Sequence, residues 1–176
     1  MFLGINMKTR GFEYVSRQEW LKAASKSTNI YCDIILDYSE YEHLELPQRK
    51  TSRSAGYDII SPFTFALQPG QDILIPTGFK AYMLHDDVLV FHVRSSHGFK
   101  NFIRLANTTG IGDSDYYNNL GNEGHYFIKL RNEGDEVFEV YTGNAIAQCI
   151  FMKYLLADGD DYEGIERTGG FGSTGN

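Results

Sequence analysis

Short hydrophobic runs separated by turn-forming residues make up most of the chain after residue 55. β-Branched and aromatic residues fill these runs, and glycine, proline, asparagine or aspartate bound them, which is typical of strands. The pattern predicts strands over 57–61, 63–67, 73–75, 79–83, 88–94, 102–105, 127–130, 137–141 and 145–154, with a Pro69-Gly70 turn after the second. Many short strands at this spacing indicate an all-β fold, a jelly-roll-like β-barrel or sandwich.

The N-terminal part of the chain has a different pattern. A strand is predicted over 7–15, and Ser16 followed by Glu19 forms a capping box that begins a helix over 17 to about 26. A further β-prone run covers 30–36. The helix face that we expect to be buried carries Trp20, Leu21 and Ala24.

Length and composition predict one domain over residues 1–176, with residues 16–46 as an inserted helix and strand too short for a core of their own. The net charge of -7 argues against nucleic acid as the main partner. No apolar run reaches membrane-spanning length and no apolar leader is evident, so we expect no membrane association. Cys32 and Cys149 fit no metal or redox spacing, which favours a cytoplasmic location, the host cytoplasm if phage-encoded. Residues 167–176 contain four glycines and predict a mobile C-terminal arm.

Two carboxylates stand two residues apart in the stretch 107–119, among glycines, aromatics and asparagines. In an extended segment Asp113 and Asp115 would point to the same face and, as adjacent anions, would need different roles. A polar hairpin tip is the alternative, because Asp, Ser, Asn and Gly also favour turns for local reasons. The pattern alone leaves both interpretations open.

Five short motifs follow one another in order along the chain. They are Ser54-Ala55-Gly56-Tyr57-Asp58, Arg94-Ser95-Ser96, residues 107–116, residues 143–148 and the glycine-rich residues 169–175. Each is weak alone, but together they resemble the trimeric dUTPase family (deoxyuridine 5'-triphosphate nucleotidohydrolases) of the bacterial or phage type. The resemblance implies a jelly-roll fold, a homotrimer with active sites at subunit boundaries, and hydrolysis of dUTP to dUMP and pyrophosphate with Mg²⁺ on the phosphates. Such an enzyme limits uracil incorporation into DNA and supplies dUMP.

The resemblance assigns the nucleoside end of the site to the third motif. Asp113 matches the general base that orients the attacking water, and a carboxylate ionised at neutral pH suits that role. Tyr116 matches the ring that packs under the deoxyribose and excludes a ribose hydroxyl. Asn107 matches a uracil contact, and the backbone around Gly110 and Ile111 would complete the uracil edge.

The phosphate end is assigned to the other motifs. Arg94, Ser95, Ser96 and Gln148 resemble phosphate-binding residues. Asp58 resembles an aspartate that supports the metal region without being a direct ligand, since Mg²⁺ takes ligands from substrate oxygens and keeps several waters. The C-terminal arm would close over the nucleotide. Its contacts would come from Arg167, Phe171, Gly172, Ser173 and Thr174, with the phenylalanine stacked on uracil.

This chain departs from the family pattern at several positions. Ser96 replaces a common glycine, and Gly112 stands where an apolar residue is usual. Only three residues separate Arg167 from Phe171, one fewer than in many members. The arginine assignment depends on that spacing.

Two other functions fit parts of the sequence. A dCTP deaminase shares the fold and an Arg-Ser-Ser motif, but alignment on Asn132 places Lys129 where that chemistry needs a glutamate. A dUTP-sensing protein could use residues 16–46 as a partner surface, with Trp20 and neighbouring tyrosines at the interface. The five histidines show no zinc spacing and are interpreted as solvated or at the core edge.

Overall fold

The computed structural model of the chain describes residues 8–24, 41–162 and 164. Its strands are β1 (Gly11–Tyr14), β2 (Tyr57–Ile60), β3 (Phe65–Leu67), β4 (Asp72–Pro76), β5 (Phe79–Tyr82), β6 (Asp87–Val93), β7 (Ile103–Leu105), β8 (Gly110–Asp113), β9 (Phe127–Asn132), β10 (Phe138–Val140) and β11 (Ala145–Lys153). Helices α1 (Arg17–Ala24) and α2 (Ser95–Asn101) and a 3₁₀ turn (Ser114–Tyr116) complete the regular structure. The all-β prediction is confirmed, and the predicted run over 30–36 lies outside the described residues.

The strands form antiparallel sheets that do not close into a barrel, an open jelly-roll arrangement. The largest sheet has the order β2-β11-β6-β8, and a second has the order β4-β9-β7. Two-stranded sheets β1-β5 and β10-β3 flank them. Strand β8 is therefore an edge strand, paired with β6 so that Val88 lies opposite Asp113 and Phe91 opposite Gly110.

The core lies between the two larger sheets and follows the alternation expected for half-buried strands. Inward-facing side chains of β4, β6 and β9 are almost fully buried: Ile73, Ile75, Leu89, Phe91, Ile128 and Leu130. Cys149 on β11 belongs to this core, and burial raises the pKa of its thiol. The expectation that it is a small buried hydrophobe is confirmed.

Helix α1 covers a small second core made of Val15, Trp20 and Leu44. The Ser16 Oγ accepts the Glu19 N–H at 3.1 Å, as predicted for an N-cap. The reciprocal half of the capping box is wrong, because the Ser16 N–H donates to Glu123 instead, at 2.9 Å. The buried face was also partly misassigned. It consists of Glu19, Trp20, Ala23 and Ala24.

A second helix was not expected. Helix α2 directly follows β6 and begins with the serines of the Arg-Ser-Ser motif, so this motif is a strand-to-helix junction. Phe102, at its C-terminus, has a φ of 54°, the left-handed conformation that ends helices. Its polar, β-prone sequence carries no buried helical face, which explains why periodicity missed it. Within the described residues, no helix is long and apolar enough to cross a membrane.

Candidate active site

A cavity of about 570 Å³ opens where the edge strand β8 meets the sheet β4-β9-β7. All five residues predicted for the nucleoside end line it: Asn107, Gly110, Ile111, Asp113 and Tyr116. Its walls are mostly apolar, with Phe91, Leu105, Tyr126 and Ile128 among them. An apolar cavity with a few polar groups is the usual form of a small-molecule site.

Asp113 ends β8 with its side chain exposed, and Tyr116 is buried two residues further on. The backbone turns into the 3₁₀ segment directly after Asp113, so Asp115 does not continue the strand. The expectation that both carboxylates share one face of an extended segment is therefore wrong. Only Asp113 lines the cavity, which leaves it without an adjacent anion there.

Glycines in β8 allow close packing beneath the cavity. A methyl group at Gly110 would lie 3.0 Å from the Phe91 Cβ, and one at Gly112 would lie 2.5 Å from the Tyr126 hydroxyl. The Tyr126 ring is in contact with the rings of Phe91 and Tyr116, at centroid distances of 4.8 and 5.0 Å. The departure from the family pattern at Gly112 thus has a local reason, because Tyr126 occupies the space that a side chain there would need.

The second group of predicted residues lines two adjoining clefts of about 230 and 320 Å³ at the other end of β6. Arg94, which precedes α2, lies 3.4 Å from Asp58 through its Nε. Gln148 stands opposite Asp58 in the β11–β2 pairing and is near Gly56, where a methyl group would lie 2.5 Å from the glutamine Oε1. Ser95 and Ser96 line the same cleft with exposed side chains.

Asp58 is nearly buried, yet its Oδ2 has no hydrogen-bond partner within the protein. A buried carboxylate oxygen without a partner is costly, so this atom favours a ligand, water or metal-bound water in the cleft. No group of three or more His, Cys, Asp or Glu side chains that could hold a metal ion occurs in the described part of the chain. The donor set therefore fits support for a substrate-bound ion better than a protein-only metal site.

Two residues of this phosphate-side cleft were missed from the sequence. Lys50 lines both clefts, and His97 lines the larger one. The His97 Nδ1 is buried without a hydrogen-bond partner, and burial holds the pKa of this imidazole below its usual value. Their positions, four residues before Ser54 and directly after the Arg-Ser-Ser motif, were the available signal.

The two groups of residues are far apart within one chain. Asp113 lies opposite Val88, and Arg94 follows six residues later on the same strand direction. At about 3.3 Å per residue, roughly 20 Å separates them along β6. The structure thus brings the predicted site residues into two clusters rather than one.

One histidine was interpreted wrongly. His125 is fully buried rather than solvated or at the core edge. Trp20 is also fully buried, so it is not available for the partner surface expected of residues 16–46. The other predicted arm residues, Arg167, Phe171, Gly172, Ser173 and Thr174, lie outside the described residues.

Comparisons with known proteins agree on one family. A family model for dUTPases matches residues 42–175. The deoxyuridine 5'-triphosphate nucleotidohydrolase of Lactococcus lactis subsp. lactis (strain IL1403) is 44% identical over 170 residues, 96% of this chain and 99% of the relative. The crystal structure of dUTPase from Streptococcus mutans has a TM-score of 0.62 and 35% identity, covering 85% of this chain and 99% of that one. A dUTPase from phage phi11 of S. aureus shares the fold, with a TM-score of 0.56 and 20% identity over 72% of this chain and 94% of that one.

Proposed function

The chain belongs to the dUTPase family and hydrolyses dUTP to dUMP and pyrophosphate, and we propose how its own residues carry out this reaction. The resemblance drawn from the five motifs is confirmed, and the deaminase alternative is not favoured. Lys129, which stands at the position of the deaminase glutamate, lines the nucleoside cavity and pairs with Asp72 at 3.3 Å.

Asp113 is the proposed general base. It would orient a water for attack on the α-phosphorus and accept its proton, while the bond from that phosphorus to the bridging oxygen breaks and pyrophosphate leaves. The observation that carries this proposal is that Asp113 and Tyr116 line one cavity together with Asn107. Attack on phosphorus needs little covalent work from the protein, so this positioning is the main contribution.

The cavity also suits a deoxyuridine. The ring of Tyr116 would lie against the sugar at C2', where a ribose hydroxyl would find no space. Asn107 offers a donor and an acceptor to uracil. The edge strand β8 pairs with β6 on one side only, so backbone groups of Gly110 and Ile111 would complete the uracil edge on the other.

The triphosphate would lie in the phosphate-side cleft. Arg94 presents a planar guanidinium, and the serines and Gln148 add neutral donors. Lys50 contributes a further positive charge. The protein would hold Mg²⁺ chiefly through the substrate phosphates, with the Asp58 Oδ2 accepting from its bound water. When bound, the ion would neutralise phosphate charge. The named subject of the phi11 structure, a structural Mg(II) ion, is a property of that phage protein.

A homotrimer would join the two clusters. Roughly 20 Å along β6 is too far for one chain to hold the phosphates at Arg94 and present Asp113 to the same nucleotide, because a hydrogen bond spans about 3 Å. A head-to-tail ring of copies would place the nucleoside cavity of one chain beside the phosphate-side cleft of the next. The arm, residues 167–176, would then close over the bound nucleotide. We expect the enzyme in the cytoplasm, where deoxynucleotides are used.

Mixing two inactive variants tests this arrangement. Asp113→Asn and Arg94→Ala chains, unfolded together and refolded, would form mixed trimers in which about a quarter of the sites combine an intact Asp113 with an intact Arg94 from different chains. Pyrophosphate release from dUTP should therefore reappear in the mixture. Separately refolded variants are the control. A mixture that stays inactive while light scattering reports trimers would contradict a shared site.

Substrate range is the companion measurement. Pyrophosphate release should be much faster from dUTP than from UTP, dTTP or dCTP, and dCTP should release no ammonia. Residues 16–46 stay a predicted partner surface, now without Trp20, and a pull-down with and without this segment tests it.

A further inference from the structure

The ring of Tyr116 is held by a loop that follows it in sequence. Its hydroxyl accepts from the Asn122 Nδ2 at 2.7 Å and donates to the His125 carbonyl oxygen at 2.9 Å. Its own carbonyl oxygen accepts from the Asn119 Nδ2 at 2.8 Å. Residues 119–125, called the supporting loop below, thus contact Tyr116 at the phenol and at the backbone.

The supporting loop is tight in itself. Asn119 accepts the N–H groups of Gly121 and Asn122 at 3.0 and 3.1 Å. Gly124 has a φ of +81°, and a methyl group there would lie 2.5 Å from the Tyr116 carbonyl oxygen. A displacement of the loop would therefore be passed on to Tyr116.

Helix α1 in turn holds the supporting loop at several points. Lys22 donates to the Gly121 carbonyl oxygen at 2.5 Å, and the Ser16 N–H donates to Glu123 at 2.9 Å. Glu19 approaches the ring of His125, with 3.5 Å between its Oε1 and the histidine Nδ1. These contacts come from the first and last turns of the helix, so α1 lies along the whole loop.

His125 is the buried centre of this arrangement. Its Nε2 accepts the Gly78 N–H at 2.9 Å, so the ring proton is on Nδ1, facing Glu19. The ring lies between Trp20 of α1 and Phe127, at centroid distances of 6.3 and 4.4 Å. Burial lowers the pKa of His125, against the opposing effect of Glu19, so the ring is neutral at neutral pH.

We propose that helix α1 is a positioning element for sugar selection: acting through the supporting loop, it fixes the ring of Tyr116 at the place where a ribose hydroxyl would clash. This inference rests on the role proposed above for Tyr116. A steric filter for one hydroxyl needs its ring held to within a fraction of an ångström. The loop on its own is short of apolar contacts, with Leu120 almost fully exposed, so the helix supplies the buried packing that holds it.

The test compares kcat/KM for dUTP and UTP in variants that loosen the helix or the loop. Asn122→Asp keeps the two acceptor contacts of this side chain, from Asn119 and Gly124, and exchanges the donor that faces Tyr116 for an acceptor. Glu19→Ala removes the contact with His125 from the helix side. We expect the preference for dUTP over UTP to fall about tenfold in the first variant and about threefold in the second.

Arg17→Ala is the matched control, because Arg17 lies on the exposed side of the same helix and pairs with Glu42. Its preference should be unchanged. If Asn122→Asp does not fold, Asn122→Ala replaces it, and thermal unfolding establishes that each variant is native. Folded loop and helix variants that keep the preference within about twofold would overturn the inference, because a merely structural role changes stability and not the ratio.

Tyr116→Ala separates this inference from the function on which it rests. If Tyr116→Ala abolishes the preference while the loop and helix variants keep it, only the role of α1 is wrong. If Tyr116→Ala leaves the preference intact, sugar selection does not depend on Tyr116, and the inference fails with it.

Discussion

The two ends of strand β6 differ in how their side chains are held. At the Asp87 end, the nucleoside cavity rests on buried aromatic rings and a loop that is hydrogen-bonded to them. At the Arg94 end, exposed serines, a lysine and a half-buried arginine line shallow clefts. Shape selection needs a rigid surface, whereas charge recognition tolerates side-chain freedom because electrostatic attraction falls off slowly with distance.

The comparison indicates a division of labour. The buried end would decide which nucleoside enters, and the exposed end would bind a triphosphate of any base. Substitutions at the nucleoside end should then change selectivity or turnover, and those at the phosphate end should change affinity for all nucleotides alike. The expected effects below run from the largest to the smallest.

Asp113→Asn should reduce kcat by about a thousandfold, because the amide cannot accept the proton of the attacking water. Binding of a non-hydrolysable dUTP analogue, measured by calorimetry, should persist. Asp115→Asn is the control, since this neighbouring carboxylate does not line the cavity. Near-normal turnover in Asp113→Asn would refute the assignment of the base.

Truncation after Glu166 should leave a folded trimer with kcat/KM reduced by about a hundredfold, because the arm would no longer exclude water from the closed site. Stopped-flow pyrophosphate detection measures the loss, and light scattering checks the trimer. Kinetics equal to those of the full chain would mean that the arm takes no part.

Arg94→Ala should raise KM by about tenfold to a hundredfold, equally for dUTP and UTP, because it removes charge-assisted hydrogen bonds to phosphate. Arg94→Lys should recover only part, since lysine lacks the planar fork. The control is Arg104→Ala, an exposed arginine paired with Glu133 on β7. A change in the dUTP to UTP ratio in Arg94→Ala would break the proposed division of labour.

Gly112→Ala should destabilise the protein by about 1–3 kcal/mol, because the new methyl group overlaps the Tyr126 hydroxyl in a packed region. KM for dUTP should rise a few-fold through the adjacent Tyr116 ring. Adding Tyr126→Phe should restore part of the stability, measured by urea unfolding, because it removes the nearest atom. Full stability of Gly112→Ala alone would contradict the close packing beneath the cavity.

Acid should destabilise the buried histidines by about 1 kcal/mol. Burial lowers the pKa of His97 and of His125 below the usual 6.5, so the unfolded chain takes up protons first as the pH falls. Their contribution to stability is complete above about pH 6.5 and is lost below it. The free energy of unfolding of His125→Gln should therefore fall less than that of the wild type between about pH 7 and 5.5. Parallel curves would contradict the burial of a neutral His125.

Much of this architecture was predictable because it depends on local pattern. The period-two alternation of β4, β6 and β9 is written in their residues, and so are the Ser16 N-cap and the motif order. Helix α2 was not predictable, since its polar sequence buries no helical face, and neither was the 3₁₀ turn that separates Asp115 from Asp113. Tertiary context decided those two segments.

Sequence alone determined the fold class, the family and the residues that line the nucleoside cavity, because these follow from residue type and spacing along the chain. Only the tertiary structure decided that Asp113 and Arg94 lie at opposite ends of one strand, that Lys50 and His97 join the phosphate-side cleft, and that α1 packs on His125. Each of these contacts joins residues far apart in sequence or depends on the register between strands. Such distances are fixed by packing in three dimensions, and residue order alone does not contain them.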